Sequence, residues 1–492
     1  MGQRFQVPIV GGFAVSRSVM VNNQATVNFI QAIKGVGAKA PVVLETAPGY
    51  VDLGGVGDGP IRTGRMVNSK IRPAATKGEL YGVYGNELVA HTADIGNLVI
   101  GTLNPAGAGN RVRMARGRQY VAMVDGIDGY TWDGTTFAQI TDLDFPGQGG
   151  PGAPTFMLYL DGFFIVNDAL TDNFFISSVE NPTVWNALDF DAASVAPDNA
   201  LAMASQVSLL WIIGDETAQA YYNSGNPDFP YDIVLNATQE VGILAPESLA
   251  DSDDGIFFLA TTPEGGRFVY QISGQAGRVI TQDEQENFLA SLVDPQDAYG
   301  FIYKQAGKSF YALQVGANTG RNPQPSSTLI YNIKAQAWET RELNDGTAWR
   351  VGGTGVLDND NLAGSRLQGR YGRLDLDNYQ DAGQPIIRRR RSQVIHQLNY
   401  EMDFWSLIVD LQGGIGNVDS PNPILKMRYS NDAGQNWSDW LQEECGPIGN
   451  TLRRVVFDQL GSARNRVFEL ELADAVNLVI VGAYAEISVT ED

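Results

Sequence analysis

Runs of four or five apolar or aromatic residues, each stopped by a short Gly, Asp or Asn turn and followed by a second run, recur along most of this chain. They stand at Leu80-Tyr81-Gly82-Val83-Tyr84 before Gly85-Asn86 and at Tyr120-Val121-Ala122-Met123-Val124 before Asp125-Gly126. Others are Met157-Leu158-Tyr159-Leu160 before Asp161-Gly162 and Leu209-Leu210-Trp211-Ile212-Ile213 before Gly214-Asp215, with further copies from Phe257 and Phe310. The pattern is that of hairpins. Their starts lie 37 to 53 residues apart, the spacing of propeller blades, in which one repeat supplies several strands. Unrelated hairpins in β-sandwiches are the competing reading. The expected fold is mainly β, with a β-propeller of about six blades over most of residues 60–385. N-terminal strands are expected to complete one blade, which removes the open sheet edges.

Helix signals are scarce. A capping box, Thr281-Gln282-Asp283-Glu284, precedes Phe288, Leu289 and Leu292 at helical spacing and predicts one helix between blades. The pattern breaks at Asp381-Ala382-Gly383-Gln384-Pro385, and strand alternation resumes at Ile424–Tyr429 and Val467–Leu472, followed by an apolar run at Val476–Val481. The expected division is a propeller with its N-terminal closing segment over 1–385 and a β-sandwich-like C-terminal module over 386–492.

Composition narrows the chemistry. A single cysteine, Cys445, excludes a disulfide framework within the chain, and two histidines, His91 and His396, make a Cys/His zinc site implausible. A Ser–His–acid or Cys–His arrangement would have to use one of those two histidines; a hydrogen-bonding role at a surface or interface is the better expectation for both. No apolar run approaches the roughly 18 residues of a membrane span. Met1–Val15 lacks a basic start followed by an apolar core, so no export signal is expected. Net charge is −22, and its distribution is uneven. Residues 1–120 carry 13 Lys/Arg against 6 Asp/Glu, whereas the 148 residues from Gln119 to Gly266 carry 22 acids and no Lys or Arg. A surface gripping phosphates needs bases, so this stretch reads either as a solvated, self-repelling face or as a surface that must not adhere to something anionic.

Four motifs stand out. Ser430-Asn431-Asp432-Ala433-Gly434-Gln435-Asn436-Trp437 fits the Asp-box S-x-D-x-G-x-x-W, in which Ser and Asp side chains bond the backbone of a tight hairpin, Gly takes positive φ and Trp packs beneath. We read Ser430, Asp432, Gly434 and Trp437 as a structural staple. Arg388-Arg389-Arg390-Arg391 is the one dense basic run; on a strand its alternate side chains face opposite sides, and it is expected to contact a neighbouring subunit or adaptor, with a solvated domain junction as the plainer reading. The acidic segments Asp375–Asp381 and Asp251–Asp254 do not match a calcium loop and read as turns. Gly54-Gly55-Val56-Gly57-Asp58-Gly59 is not a nucleotide fingerprint. No catalytic residue, cofactor or metal site is expected.

A longer likeness runs through Trp185–Phe190, Ala196-Pro197-Asp198, the stretch from Leu210 through Asn223-Ser224-Gly225-Asn226-Pro227-Asp228-Phe229-Pro230, and Gln239-Glu240-Val241-Gly242. Gly11-Gly12-Phe13, Thr46-Ala47-Pro48-Gly49, Arg428–Gly434, Gly461-Ser462-Ala463-Arg464 and Gly482-Ala483-Tyr484 extend it. In these residues the chain resembles the packaged-DNA stabilisation (tail hub, or nozzle) proteins of short-tailed bacteriophages, although Thr46-Ala47-Pro48 interrupts the Thr-Pro-Gly more usual there. The resemblance implies a propeller protein forming a homohexameric ring below the portal and adaptor rings of the virion, in contact with tail needle, tailspike or fibre proteins and assembled in the host cytoplasm. It implies that the ring holds the genome in after packaging and lets it pass without specific binding. The alternative is a glycan-binding propeller or sialidase-like glycosidase, suggested by the Asp-box and eight tryptophans. That would need arginines on the axial face, which the stretch without bases does not supply.

Overall fold

The computed structural model describes residues 3–490 apart from 76, 106–110, 194–197, 263, 320–323 and 399; Ala196 and Pro197 of the likeness fall outside the described residues. Strands dominate, and they form a β-propeller and a β-sandwich that share a sheet. The innermost strands of the propeller are Val67–Ser69, Arg113–Arg116, Met157–Leu160, Ala202–Gln206, Ala250–Ser252, Tyr299–Gln305 and Val351–Leu357. Each packs against the next, and the last returns to the first, which closes the ring.

The expected propeller of about six blades is thus the fold observed, and strand pairing resolves one sheet beyond the six marked in the sequence. The seventh escapes an aromatic pattern because it is built of glycine. Its first strand reads Val351-Gly352-Gly353-Thr354-Gly355-Val356-Leu357. A Cβ on Gly353 would sit 1.8 Å from the Thr63 carbonyl oxygen, and one on Gly364 would sit 2.2 Å from Ile61 Cδ1. Blade 7 meets blade 1 too closely there for side chains. Blade 3 was also out of phase, because Met157–Leu160 is an inner strand whereas the other runs are second strands. The ring closes as expected. Gly49–Gly55, from the N-terminal region, pairs antiparallel with Arg370–Asp375 as the outer strand of blade 7.

The rest of the N-terminal region does something else. Phe29–Ile33 and Val42–Thr46 form a hairpin that joins the sandwich through Val479–Thr490, and Gln3–Val7 pairs with that same C-terminal strand. The closing segment therefore belongs only in part to the propeller, in contrast to the expected 1–385 unit. The second sandwich sheet starts as the outer strand of blade 6, Ala337–Arg341, and runs on through Asn23–Val27, Arg388–Arg391, Asn465–Leu472, Ile424–Ser430 and Leu441–Glu444. Between the sandwich sheets lies an apolar core that includes Phe404, Met427, Phe468, Leu470, Ile480 and the buried Cys445.

The predicted helix is present as Asp283–Ala290, but its cap is shifted by one residue. The Gln285 side chain accepts from the Gln282 N–H at 3.0 Å, while Glu284 instead receives Ser16 and Asn22 from the N-terminal segment.

Candidate functional site

The seven inner strands enclose a cavity of 580 Å³ on the propeller axis, with Met66, Met114, Phe156, Met203, Phe301 and Tyr303 in its wall. Two arginines close it. Arg113 opens the inner strand of blade 2, and Arg111 precedes it by two residues, so alternation sends both side chains the same way. Arg113 Nη1 donates to the Leu249 carbonyl at 3.1 Å and Nη2 to that of Pro246 at 3.3 Å; Arg111 Nη1 donates to the carbonyls of Glu247 and Leu249. Pro246–Leu249 lead into the inner strand of blade 5, which lies across the ring from blade 2. The guanidinium groups therefore span the axis and plug it.

Aromatic rings hold the plug in place. Arg111 lies 4.3 Å from the Tyr299 centroid, Arg366 of blade 7 lies 4.0 Å from the same ring, and Arg113 lies 4.2 Å from that of Phe156. Charge is left unbalanced. Three guanidinium groups face one carboxylate, Glu247, whose Oε2 is 3.7 Å from Arg111 and 3.9 Å from Arg113, too far for a hydrogen bond. Arg111 Nε, Arg113 Nε, Glu247 Oε2 and the Tyr299 hydroxyl are all buried without a hydrogen-bond partner. Burial, and then the neighbouring Arg111, push the Arg113 pKa down to about 9; burial also lowers that of Arg366. Elsewhere on the wall Arg65 pairs with Asp251 and Lys304 with Asp253, each at 3.1 Å, while Arg116 donates to the Asn68 carbonyl.

These arginines correct one inference from the sequence. The stretch without bases does supply blades 3 and 4, yet the segment just before it reaches the axis, so the axial face is not free of arginine. The alternation Arg111-Val112-Arg113 was the available signal. Glu247, Tyr299 and Phe156 carried none, because only ring closure brings blades 3, 5 and 6 to blade 2.

Several acids of the same stretch are turn acceptors. Asp125 receives the N–H groups of Ile127 and Asp128, Asp133 those of Thr135 and Thr136, and Asp168 those of Ala153 and Leu170. Asp198 receives three successive N–H groups, from Asp215, Glu216 and Thr217. These carboxylates are therefore fixed by turn and hairpin geometry.

The arginine run lies in the sandwich sheet, where burial takes Arg388 and Arg390 out of reach of a subunit or adaptor contact while Arg389 and Arg391 keep partial exposure on the other side. Arg388 and Arg390 are fully buried. Arg388 donates to the carbonyls of Asp474 and Tyr379. Arg390 donates to those of Ile9, Gly12 and Ala25 and to the side chains of Thr26 and Gln24, tying down the N-terminal segment. On the opposite side Arg389 pairs with Glu471 at 3.1 Å, and Arg391 with Glu469 at 2.7 Å.

The Asp-box turn is held from within. Ser430 Oγ donates to Asp432 Oδ1 at 2.7 Å and accepts the Gly434 N–H at 2.7 Å, while Asp432 Oδ1 accepts the N–H groups of Gln435 and Asn436 at 3.0 and 2.8 Å. Gly434 has φ +93°. Burial raises the Asp432 pKa, but the Asn436 N–H, Ser430, the Asn436 side chain and the Gln435 N–H outweigh it and bring the carboxyl down to about 2. Trp437 is half-buried, with the guanidinium groups of Arg428 and Arg391 4.6 and 5.0 Å from its ring centroid. This site lies in the sandwich, away from the propeller axis.

His91 is buried rather than at a surface, hydrogen-bonded to Tyr84 at 3.0 Å and Asn97 at 2.8 Å; burial lowers its pKa to about 4. Among the described residues no three His, Cys, Asp or Glu side chains are grouped to hold a metal ion, and no helix is long and apolar enough to cross a membrane.

Fold and axis together define a β-propeller protein. Residues 5–378 match the family described as bacteriophage P22 Gp10, beta-propeller, and the chain belongs to that family. It is a structural protein of a bacteriophage virion, of the DNA-stabilisation class. No curated protein matches by sequence. Similar solved structures include the WD40 β-propeller domain of Doa1 (10% identity, 66% of this chain and 96% of that one, TM-score 0.38). Others are the extracellular domain of the putative one-component system BT4673 from B. thetaiotaomicron (10%, 86% and 58%, 0.43) and YCF48 bound to D1 peptide (12%, 67% and 98%, 0.36). Likenesses this distant add nothing to the family assignment.

Proposed function

We infer that this chain is a tail hub, or nozzle, subunit whose copies form a ring, hexameric and docked below the adaptor, that retains packaged DNA and then gives it an exit. The observation that carries this reading is the plugged axis in a member of a DNA-stabilising family. Arg111 and Arg113 cross the centre of the propeller, and a cavity of 580 Å³ is on the scale of a small-ligand pocket, whereas the major groove of duplex DNA alone is about 12 Å wide. DNA therefore passes between copies, and no single propeller is the conduit. Retention is steric, because each gripped phosphate adds about 0.9 to the salt slope of binding and a strongly basic wall would hold the genome back.

The outer strand of blade 3, Asn181–Ala192, suits contact between copies. It is a 12-residue sheet edge with Val184, Leu188 and Phe190 exposed, and a long apolar edge is a template for pairing with another chain. The test is light scattering of the purified chain, alone and with portal and adaptor proteins. A ring is expected, and Leu188→Lys with Phe190→Lys should reduce it to monomer without unfolding. A native chain that stays monomeric with the adaptor present would defeat the reading, as would micromolar duplex binding at physiological salt.

A further inference from the structure

We propose that the axial cavity is a binding site for a small phosphate-bearing anion, no larger than a mononucleotide, seated against Arg111 and Arg113. The first ground is charge. In a chain of net −22, three guanidinium groups converge on one half-buried carboxylate. The Arg111 and Arg113 side chains are only 2% and 13% exposed, against 29% for Glu247. Buried cations without a full complement of anions are costly, and an oxyanion supplies what Glu247 alone does not.

The second ground is hydrogen bonding. Arg111 Nε and Arg113 Nε are buried donors without partners, although the Nη groups of the same side chains are bound to carbonyls. Both arginines line the cavity. Their Nη contacts and ring stacking fix the guanidinium planes, which is the preorganisation that charge-assisted recognition of phosphate rewards. The third ground is space. The cavity falls within the volume range of small-molecule sites, and beyond the arginines its wall is mixed, with polar residues such as Asn68, Ser205 and Thr354 beside Met66, Met114 and Met203. The Glu247 carboxylate competes with an incoming anion for the same two arginines.

The test is titration calorimetry of the full chain with inorganic phosphate and, separately, adenosine monophosphate, at ionic strength held constant with sodium chloride. Saturable binding of phosphate is expected; tighter binding of the nucleotide would assign the site to a larger phosphate ester, and equal affinities would assign it to free phosphate. Arg113→Gln should weaken binding about tenfold or more, the worth of one charge-assisted hydrogen bond. Glu247→Gln should tighten it, and because this half-exposed side chain makes only long ion pairs, that variant remains informative if Arg113→Gln does not fold. No saturable signal from the native chain, or an affinity unchanged by Glu247→Gln, overturns the proposal.

Discussion

The two regions that bury arginine do so differently. In the sandwich the partly exposed guanidinium groups are answered by carboxylates, while the fully buried Arg388 and Arg390 bond carbonyls and neutral side chains and Arg388 Nε is left without a partner. Glu469, with no solvent exposure, pairs with both Arg391 and Arg428, Glu471 takes Arg389, and Arg390 is surrounded by acceptors from residues 9–26. On the propeller axis the guanidinium groups are answered mostly by carbonyls, with two Nε donors left over. Both regions use arginine as a cross-link, because a planar fork of five donors reaches several acceptors at once. Only the axis keeps reserve charge beside a cavity. A fully matched cluster is a joint; an undermatched one beside open space has capacity to bind.

The contrast can be broken most sharply at Glu469. Glu469→Ala strands two partly buried arginines and should cost roughly 3–5 kcal/mol, measured by urea denaturation; a loss within experimental error would mean that the sandwich cluster is not the matched joint described. Next is the seam between the regions, where Glu339 in the outer strand of blade 6 accepts the Gln31 N–H at 2.5 Å. Burial raises its pKa from 4.5 to about 8, against the pull of that N–H and Arg341. The folded chain then keeps a proton that the unfolded chain has lost, so stability should fall as pH rises from about 4.5 to about 8. Glu339→Gln should flatten that slope, and an unchanged slope would place the titration elsewhere.

Trp437→Ala should cost about 2 kcal/mol, less than a fully buried indole, because the ring is half-exposed and contributes packing plus two guanidinium contacts. Thermal denaturation of the variant gives the value. Arg113→Met should cost less again, roughly 1 kcal/mol: the two carbonyl bonds of Arg113 are long, and losing an undermatched charge offsets part of their loss. A penalty as large as that of Glu469→Ala would erase the distinction between joint and reserve.

Strand content, the blade-scale repeat, the closing role of N-terminal residues and the hairpin chemistry of Ser430–Trp437 were all legible, since each depends on local spacing: period-two alternation, a turn signal, and residues that bond backbone within five positions. The seventh blade was not, because its glycines answer a packing demand from Ile61 and Thr63 across a blade boundary. Nor was the burial of Arg388 and Arg390. A run of four arginines reads as surface when the acceptors from Ile9, Gly12, Tyr379 and Asp474 are out of sight.

By itself, then, the order of residues determined the class of the molecule: β-rich, repeating, turn-punctuated and strongly acidic, with a family likeness along its length. Tertiary structure alone decided which charges are matched. The electrostatic state of an arginine depends on groups within a few ångströms, and in a closed ring those groups come from blades more than 100 residues away. Arg113 and the Leu249 carbonyl, 136 positions apart and 3.1 Å from each other, are one such pair.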